Sequence, residues 1–477
     1  MKKLLFAAAL GLFLMTACSD DVEPILEVSE TEFTEVSYAG ETIAIDVNSN
    51  YNWTISPVAG YDWCTVMNDN SSVQFNVAPN DGSEPREAVY EISTIGLSKT
   101  VKIRQGVFTI PENFENLSEY GTSNCYIVIP ESKAYFDATV KGSTTEPVGD
   151  VASAKLIWQS EKSLVTFVKY VPANKAIAIE LGEGEGNALV AALNSNGEVV
   201  WSWHLWITYY SPEATLFSTP ANASGTVWQF MDRNLGAMSN TPEGFDSHGL
   251  IYQWGRKDPF PAAVSYTDQD PYTYEYIDGK DGEPAWYDIQ NQTVQKFNLK
   301  AAKNGTDELA VKNPDVFYLN LKIDTGKKDE YGEPVYDQGD WRKPSNDDAW
   351  GGISMKKTVN DPCPVGYKVP VCDADGNTPY AWLQYAKMTW DKAHYGATQD
   401  YQWFPATGTR VYEGGGLDFP DPANGGNPYS GLWIGTIGKG SEVSHYGQYM
   451  FIINGKRTFK VNKDSRSQGM SLRCVAE

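Results

Sequence analysis

The stretch 187–208, NALVAALNSNGEVVWSWHLWIT, sets two apolar runs on either side of Asn196-Gly197. Asn-Gly supplies the positive φ angles of a tight hairpin turn, and runs rich in Val, Leu and Trp suit strands. In the second arm Val199, Trp201, Trp203, Leu205 and Ile207 recur with period two and make a wholly apolar face, which belongs against a core. Val200, Ser202, His204 and Trp206 make the other, mixed face. His204 is expected there as a partly exposed or hydrogen-bonded residue, with a ligand or catalytic role as the alternative. A chain with this pattern at its centre must solve its packing with sheets.

The same texture runs through the first half of the chain. "TIAIDVNS", "NWTISP", "SVQFNVAP", "AVYEISTI" and "KTVKIRQ" are short alternating segments parted by Asn, Asp, Gly and Pro. At that length and spacing, residues 25–107 read as an immunoglobulin-like β-sandwich. A second β-rich domain is expected over 108–215, from "NCYIVI", "AYFDATVKG", "AKLIWQ", "LVTFVKYV" and "KAIAIEL". From 216 to 477 glycine becomes frequent and strands shorten. "NTPYAWLQYAKMTWDKAHYG" is the clearest helical pattern, with Trp382, Leu383, Ala386 and Trp390 near helical spacing. Residues 264–345, rich in Tyr, Asp, Gly and Lys, read as a long insertion of exposed loops. The expected fold class is mainly β and multidomain, closing with an α+β domain. A length of 477 residues agrees with several cores, and 13% aromatic against 21% charged residues suits β-rich secreted domains.

The N-terminus gives an address. Lys2 and Lys3 precede "LLFAAALGLFLM", an apolar stretch too short for a permanent span, and then "MTACSDD". The small residues before Cys18 resemble a bacterial lipobox. That resemblance implies a signal peptide over 1–17, lipid on Cys18, a linker over 18–24 and an outer-membrane lipoprotein. Ser19, Asp20 and Asp21 resemble the surface-export signal of Bacteroidota lipoproteins, which implies exposure to the cell exterior. The net charge is −23, and two units more negative once Lys2 and Lys3 leave with the leader. Such acidity argues against nucleic acid, whose phosphates reward basic patches.

Trp53, the "DWCTV" around Trp63, "VAPNDGSEPREAVYEI" with Asn80 and Arg86, and the closing "VKIRQ" at Gln105 together resemble the BACON domain. This is an immunoglobulin-like module of gut-bacterial surface proteins, and the resemblance implies either glycan binding or spacer duty.

Further along, "WQFMDRNLGA", "HGLIYQWGRKDPFP", "NDPCPVGYKVP", "LWIGT" and "SQGMSLRCV" occur in that order. The series resembles the Fibrobacter succinogenes major paralogous domain, a C-type-lectin-like family of surface lipoproteins and fimbrium-associated proteins. The resemblance implies a disulfide between Cys363 and Cys474, with Cys372 a competing partner; Cys64 and Cys125 are expected as buried thiols. It also implies a structural role for Asp232, Arg233, Tyr252, Trp254 and Arg256. Asp232 and Arg233 would pair beside loop backbone, Tyr252 and Trp254 would line a short helix ended by Gly255, and Arg256 would bind loop carbonyls.

Chemistry finds little to hold it. G-x-S-x-G and H-E-x-x-H are missing, and His204, His248, His394 and His445 stand at no metal-ligand spacing. The same fold hosts formylglycine-generating enzymes, but these need a reactive, copper-binding cysteine pair, and the C-terminal cysteines here read as structural. Asp373, Asp375 and Asn377 stand at alternate positions, a spacing that suits oxygen ligation of calcium, yet Thr378 and Gln384 occupy positions where an EF-hand loop needs Gly and Glu. No cofactor is expected. Candidate ligand platforms are Trp286, Trp341, Trp350, Trp403 and Trp433, which lie in Gly-, Asp- or Pro-rich surroundings. The expectation is a non-enzymatic adhesion or recognition protein whose partner is a glycan or a surface protein. A structural subunit of a surface filament, pairing by strand addition, is the alternative.

Overall fold

A computed structural model describes residues 22–477 apart from 243–245, 263–284, 297–299, 320–322, 329–330, 333, 338–339, 392–393, 395, 413, 416, 419–428, 438–445 and 454–458. The leader, Cys18 and His445 therefore lie outside the described residues, as does much of the insertion. The fold is nearly all β. It divides into two compact units, residues 1–109 and 110–477.

The first unit is a sandwich of two four-stranded sheets. One runs Leu26–Val28, Glu41–Ser49, Ser72–Val77, Cys64–Asn68; the other runs Glu32–Val36, Leu97–Gln105, Arg86–Thr94, Thr54–Pro57. Alternation does the sorting. Ile43, Ile45 and Val47 turn inward while Thr42, Ala44 and Asp46 face water, and Phe75, Tyr90, Ile92, Val101 and Ile103 close the same core. Of the residues that carry the BACON resemblance, Trp63, Asn80, Arg86 and Gln105 meet at one end as a clasp, while Trp53 lies apart and donates to Asn70 O. Arg86 Nε donates to Gln105 Oε1 at 2.7 Å and its Nη2 to the carbonyls of Ala78 and Pro79 at 2.7 and 2.8 Å. Gln105 Nε2 in turn binds Ser37 O and Ala78 O, and Asn80 Nδ2 binds Gly106 O and Glu84 O. The Arg86 guanidinium lies 4.3 Å from the ring centre of Trp63.

The regions 108–215 and 216–477, read apart in sequence, fall from residue 110 onward in the single second unit. Its central sheet runs Cys125–Val128, Val199–Ile207, Gly186–Leu193, Ser153–Gln159, Ala285–Tyr287, Thr293–Lys296, so the insertion supplies two of its strands. A second sheet, Val165–Val171, Ala176–Leu181, Lys133–Asp137, Glu115–Asn116, shares a core with Trp201, Trp203, Leu205 and Ile207. Trp206 and Leu189 join a different core, with Tyr252, Trp254, Trp433, Met470 and Leu472. Both faces of Val199–Ile207 are thus covered, and the mixed face is not a surface. His204 is fully enclosed, its Nε2 2.8 Å from Asn187 Oδ1.

Two helix expectations fail. Among the described residues of 377–395 only the 3₁₀ turn Tyr385–Lys387 is helical, followed by the strand Thr389–Asp391. Gln399 explains the change: its Oε1 accepts from Gln384 N at 2.7 Å and its Nε2 donates to Trp382 O at 3.0 Å. Backbone groups that a helix would pair are satisfied by this side chain. Tyr252 likewise lies in a strand, Leu250–Gln253, paired with Gly469–Ser471. Gly255 follows at φ +77°, where a Cβ would sit 2.7 Å from Arg342 Nη2. Among the described residues the α-helix Asp307–Lys312 is capped by Thr306, whose hydroxyl accepts from Leu309 N at 3.0 Å.

Candidate functional site

The segment 249–261 is interior. Arg256 Nη1 and Nη2 donate to the carbonyls of Val316, Asn313 and Pro314 at 2.6, 3.1 and 3.0 Å, and its guanidinium faces Phe260, Tyr318 and Trp341. Arg342 reaches Asp307 and Asn346 O, while Arg466 reaches Asp340 and Asp347 and lies over Trp254. Arg233 pairs with Asp232 at 2.8 Å, donates to Met238 O and stacks on Tyr210. Buried guanidiniums laid on aromatic rings and bound to carbonyls fasten loops to a sheet.

Lys257, Ser202 and Asp258 have the residue types of a nucleophilic site. Lys257 Nζ is 2.5 Å from Ser202 Oγ and 2.6 Å from Asp258 Oδ1, and Ser202 Oγ donates to that same oxygen at 2.7 Å. All three are enclosed, and the ammonium also faces the Trp201 ring. Burial pushes the Lys257 pKa down while Asp258 pushes it back. The trio neutralises itself in the interior and presents no atom to a substrate. Its geometry is that of an internal ion pair.

The expected tryptophan platforms are not on the surface. Trp286 stacks on Trp158 at 3.7 Å; Trp341 donates to Trp254 O, Trp350 to Asn360 O, Trp403 to Ser247 Oγ and Trp433 to Tyr252 O. All five are buried. Their glycine-rich surroundings serve packing instead: a Cβ on Gly396 would lie 2.3 Å from the Trp403 ring. Each indole N–H fixed to a carbonyl or hydroxyl can be enclosed without penalty.

The acidic turn is also self-contained. Asp373 Oδ1 accepts from Asp375 N and Asn377 N, and Oδ2 from the side chains of Asn222 and Asn377. Partial burial pushes its pKa up, but these bonds hold it well below the usual carboxylate range. No group of three His, Cys, Asp or Glu suited to a metal occurs among the described residues. Cys363 and Cys474 are joined by a disulfide, Cys372 is buried outside it, and Cys64 and Cys125 are buried thiols whose pKa values burial raises.

What the surface does offer is a hairpin tip. Strands Gly396–Gln399 and Gln402–Pro405 pair antiparallel, leaving Asp400 and Tyr401 as a two-residue turn. Both adopt left-handed backbone, at φ 50° and 64°, as a type I′ turn requires. Tyr401 is 98% exposed. Asn-Gly is the usual occupant of such a turn, so "QDYQ" carries no hairpin signal in the sequence. At the same end of the sheet, Lys387 and Gln384 are exposed, and Asp400 Oδ2 accepts from Gln399 Nε2. A protruding ring at the same end of the sheet as exposed hydrogen-bonding residues is suited to binding a ligand.

No curated protein matches the chain. Among solved structures, a Bacteroides ovatus GH5 xyloglucanase in complex with a heptasaccharide is 20% identical, over 21% of this chain and 22% of that one, with a TM-score of 0.17. An endo-fucoidan hydrolase of glycoside hydrolase family 107 is 13% identical over 39% and 28%, at TM-score 0.21, and titin domain M7 is 10% identical over 18% and 94%, at 0.15. The chain thus spans under a third of the length of either enzyme. Residues 51–106, the stretch that holds the Arg86 clasp, match the family model BACON, described as "Putative binding domain, N-terminal".

Proposed function

We propose that this chain is a non-enzymatic recognition protein of a bacterial surface. Lipid on Cys18 anchors it to the outer membrane, facing the exterior; the BACON domain holds the second unit away from the membrane; and loops of that C-type-lectin-like unit bind a glycan or a surface protein. The observation that carries the reading is Tyr401, a wholly exposed ring on a turn of unfavourable backbone, while the five tryptophans expected as platforms are buried. The test is a broad glycan array probed with the lipid-free chain, in calcium and in chelator. Reproducible hits of one sugar class support glycan recognition, and their loss in chelator would give the acidic turn at Asp373 a role.

A filament-subunit reading has an observation of its own. The strands Cys64–Asn68 and Thr54–Pro57 each end a sheet of the first unit, and Met67 is exposed on the former. Unpaired edges accept further strands. Sedimentation equilibrium decides between the two: concentration-dependent oligomers favour the filament, a monomer that binds sugar favours recognition.

A further inference from the structure

We infer that the Asp400-Tyr401 turn is a subsite for a neutral sugar ring, an inference that rests on the recognition reading above. The first ground is backbone. A tyrosine in left-handed conformation is uncommon, and two such residues in succession persist only where the surrounding structure holds them. Asn-Gly would close the same turn at lower cost. The second ground is the side chain: its ring makes almost no contact within the protein, so packing does not account for it. An aromatic face stacks well on the C–H face of a pyranose, with the phenol at its edge free to hydrogen-bond.

The surroundings select among partners. Protein interfaces bury on the order of 1,200–2,000 Å² around an apolar centre. Here the exposed residues at this end of the sheet are Asp400, Gln384 and Lys387, all hydrogen-bonding types, with a single exposed ring. That is the scale and polarity of one sugar. Asp400 beside the ring and a chain charge of −23 oppose sulfate or uronate, which leaves neutral pyranosides.

The test compares the full chain with Tyr401→Gly and Tyr401→Phe on an array carrying neutral and anionic glycans. Glycine relieves the left-handed backbone, so Y401G folds at least as stably as the parent and separates binding from folding. The expected result is binding to neutral glycans that weakens about tenfold or more in Y401G and is largely kept in Y401F. Undiminished binding by Y401G overturns the inference and leaves the recognition reading standing, as does binding confined to anionic glycans. A blank array for the parent removes the inference and glycan recognition together.

Discussion

Arg86 and Gln105 face each other across the two longest strands of the second sheet of the first unit, Nε to Oε1 at 2.7 Å, in register as cross-strand partners. Through them the carbonyls of Ser37, Ala78 and Pro79 are satisfied at one end of the sandwich. Removing Arg86 leaves the side-chain oxygen of the buried Gln105 without its donor, and removing Gln105 leaves part-buried carbonyls and Arg86 Nε without theirs. Arg86→Ala and Gln105→Ala are each expected to destabilise this unit by about 2 kcal/mol, with the double variant costing less than the sum. Urea unfolding of the three variants checks this; strict additivity would contradict a coupled clasp.

The bond between Cys363 and Cys474 spans a sequence separation of 111 and lies in the main core of the second unit. Closing a loop of that size stabilises by about 4–5 kcal/mol on the chain-entropy estimate. Replacing both cysteines by serine is expected to lower the thermal midpoint of the second unit and leave that of the first unchanged. Calorimetry separates the two transitions.

Acid should weaken the second unit through His204. Burial pushes its pKa from 6.5 down to about 3, so the unfolded chain takes up a proton that the native chain refuses. The stability is present above pH 6.5 and lost as pH falls towards 3. His204→Asn should show a shallower decline across that window, read by denaturant unfolding at a series of pH values.

Asp361 acts in the opposite sense. Its carboxylate accepts from Cys363 N and Val369 N, and burial still raises its pKa from 3.8 to about 6, against the pull of Lys357. A raised pKa means stability that is full below 3.8 and lost as pH rises through 6. In Asp361→Asn that slope should vanish; an unchanged slope would show that another group is responsible.

Tyr401→Gly should make the protein more stable while removing its exposed ring. Left-handed backbone costs an L-residue roughly 1–2 kcal/mol, which glycine does not incur. A rise in the thermal midpoint of the second unit is the expected outcome. A fall would mean that the tyrosine ring has a packing role.

Much of the architecture could be read from period and punctuation. Ile43, Ile45 and Val47 alternate with polar neighbours because one face of their strand meets water. Val199–Ile207 was harder, since a strand covered on both sides keeps His204 and Ser202 inside by hydrogen bonds, and such residues look like surface in a sequence. The helix expected from Trp382 and Trp390 failed because Gln399, distant from the pattern, takes over the backbone groups near it. The tryptophans misled for a related reason: glycine beside them makes room for an indole, as Gly396 does for Trp403, rather than exposing it. Tyr401 was illegible because its turn breaks the usual turn chemistry, and only the register of its two strands reveals it.

The most direct measurement is isothermal titration of the lipid-free chain with the neutral glycan that binds it best on the array. A recognition protein gives heat that saturates at one ligand per chain and then returns to baseline, with the signal lost in Y401G. Heat that continues without saturating, as turnover produces, would contradict the recognition account; saturation unaffected by Y401G would overturn the Tyr401 subsite alone.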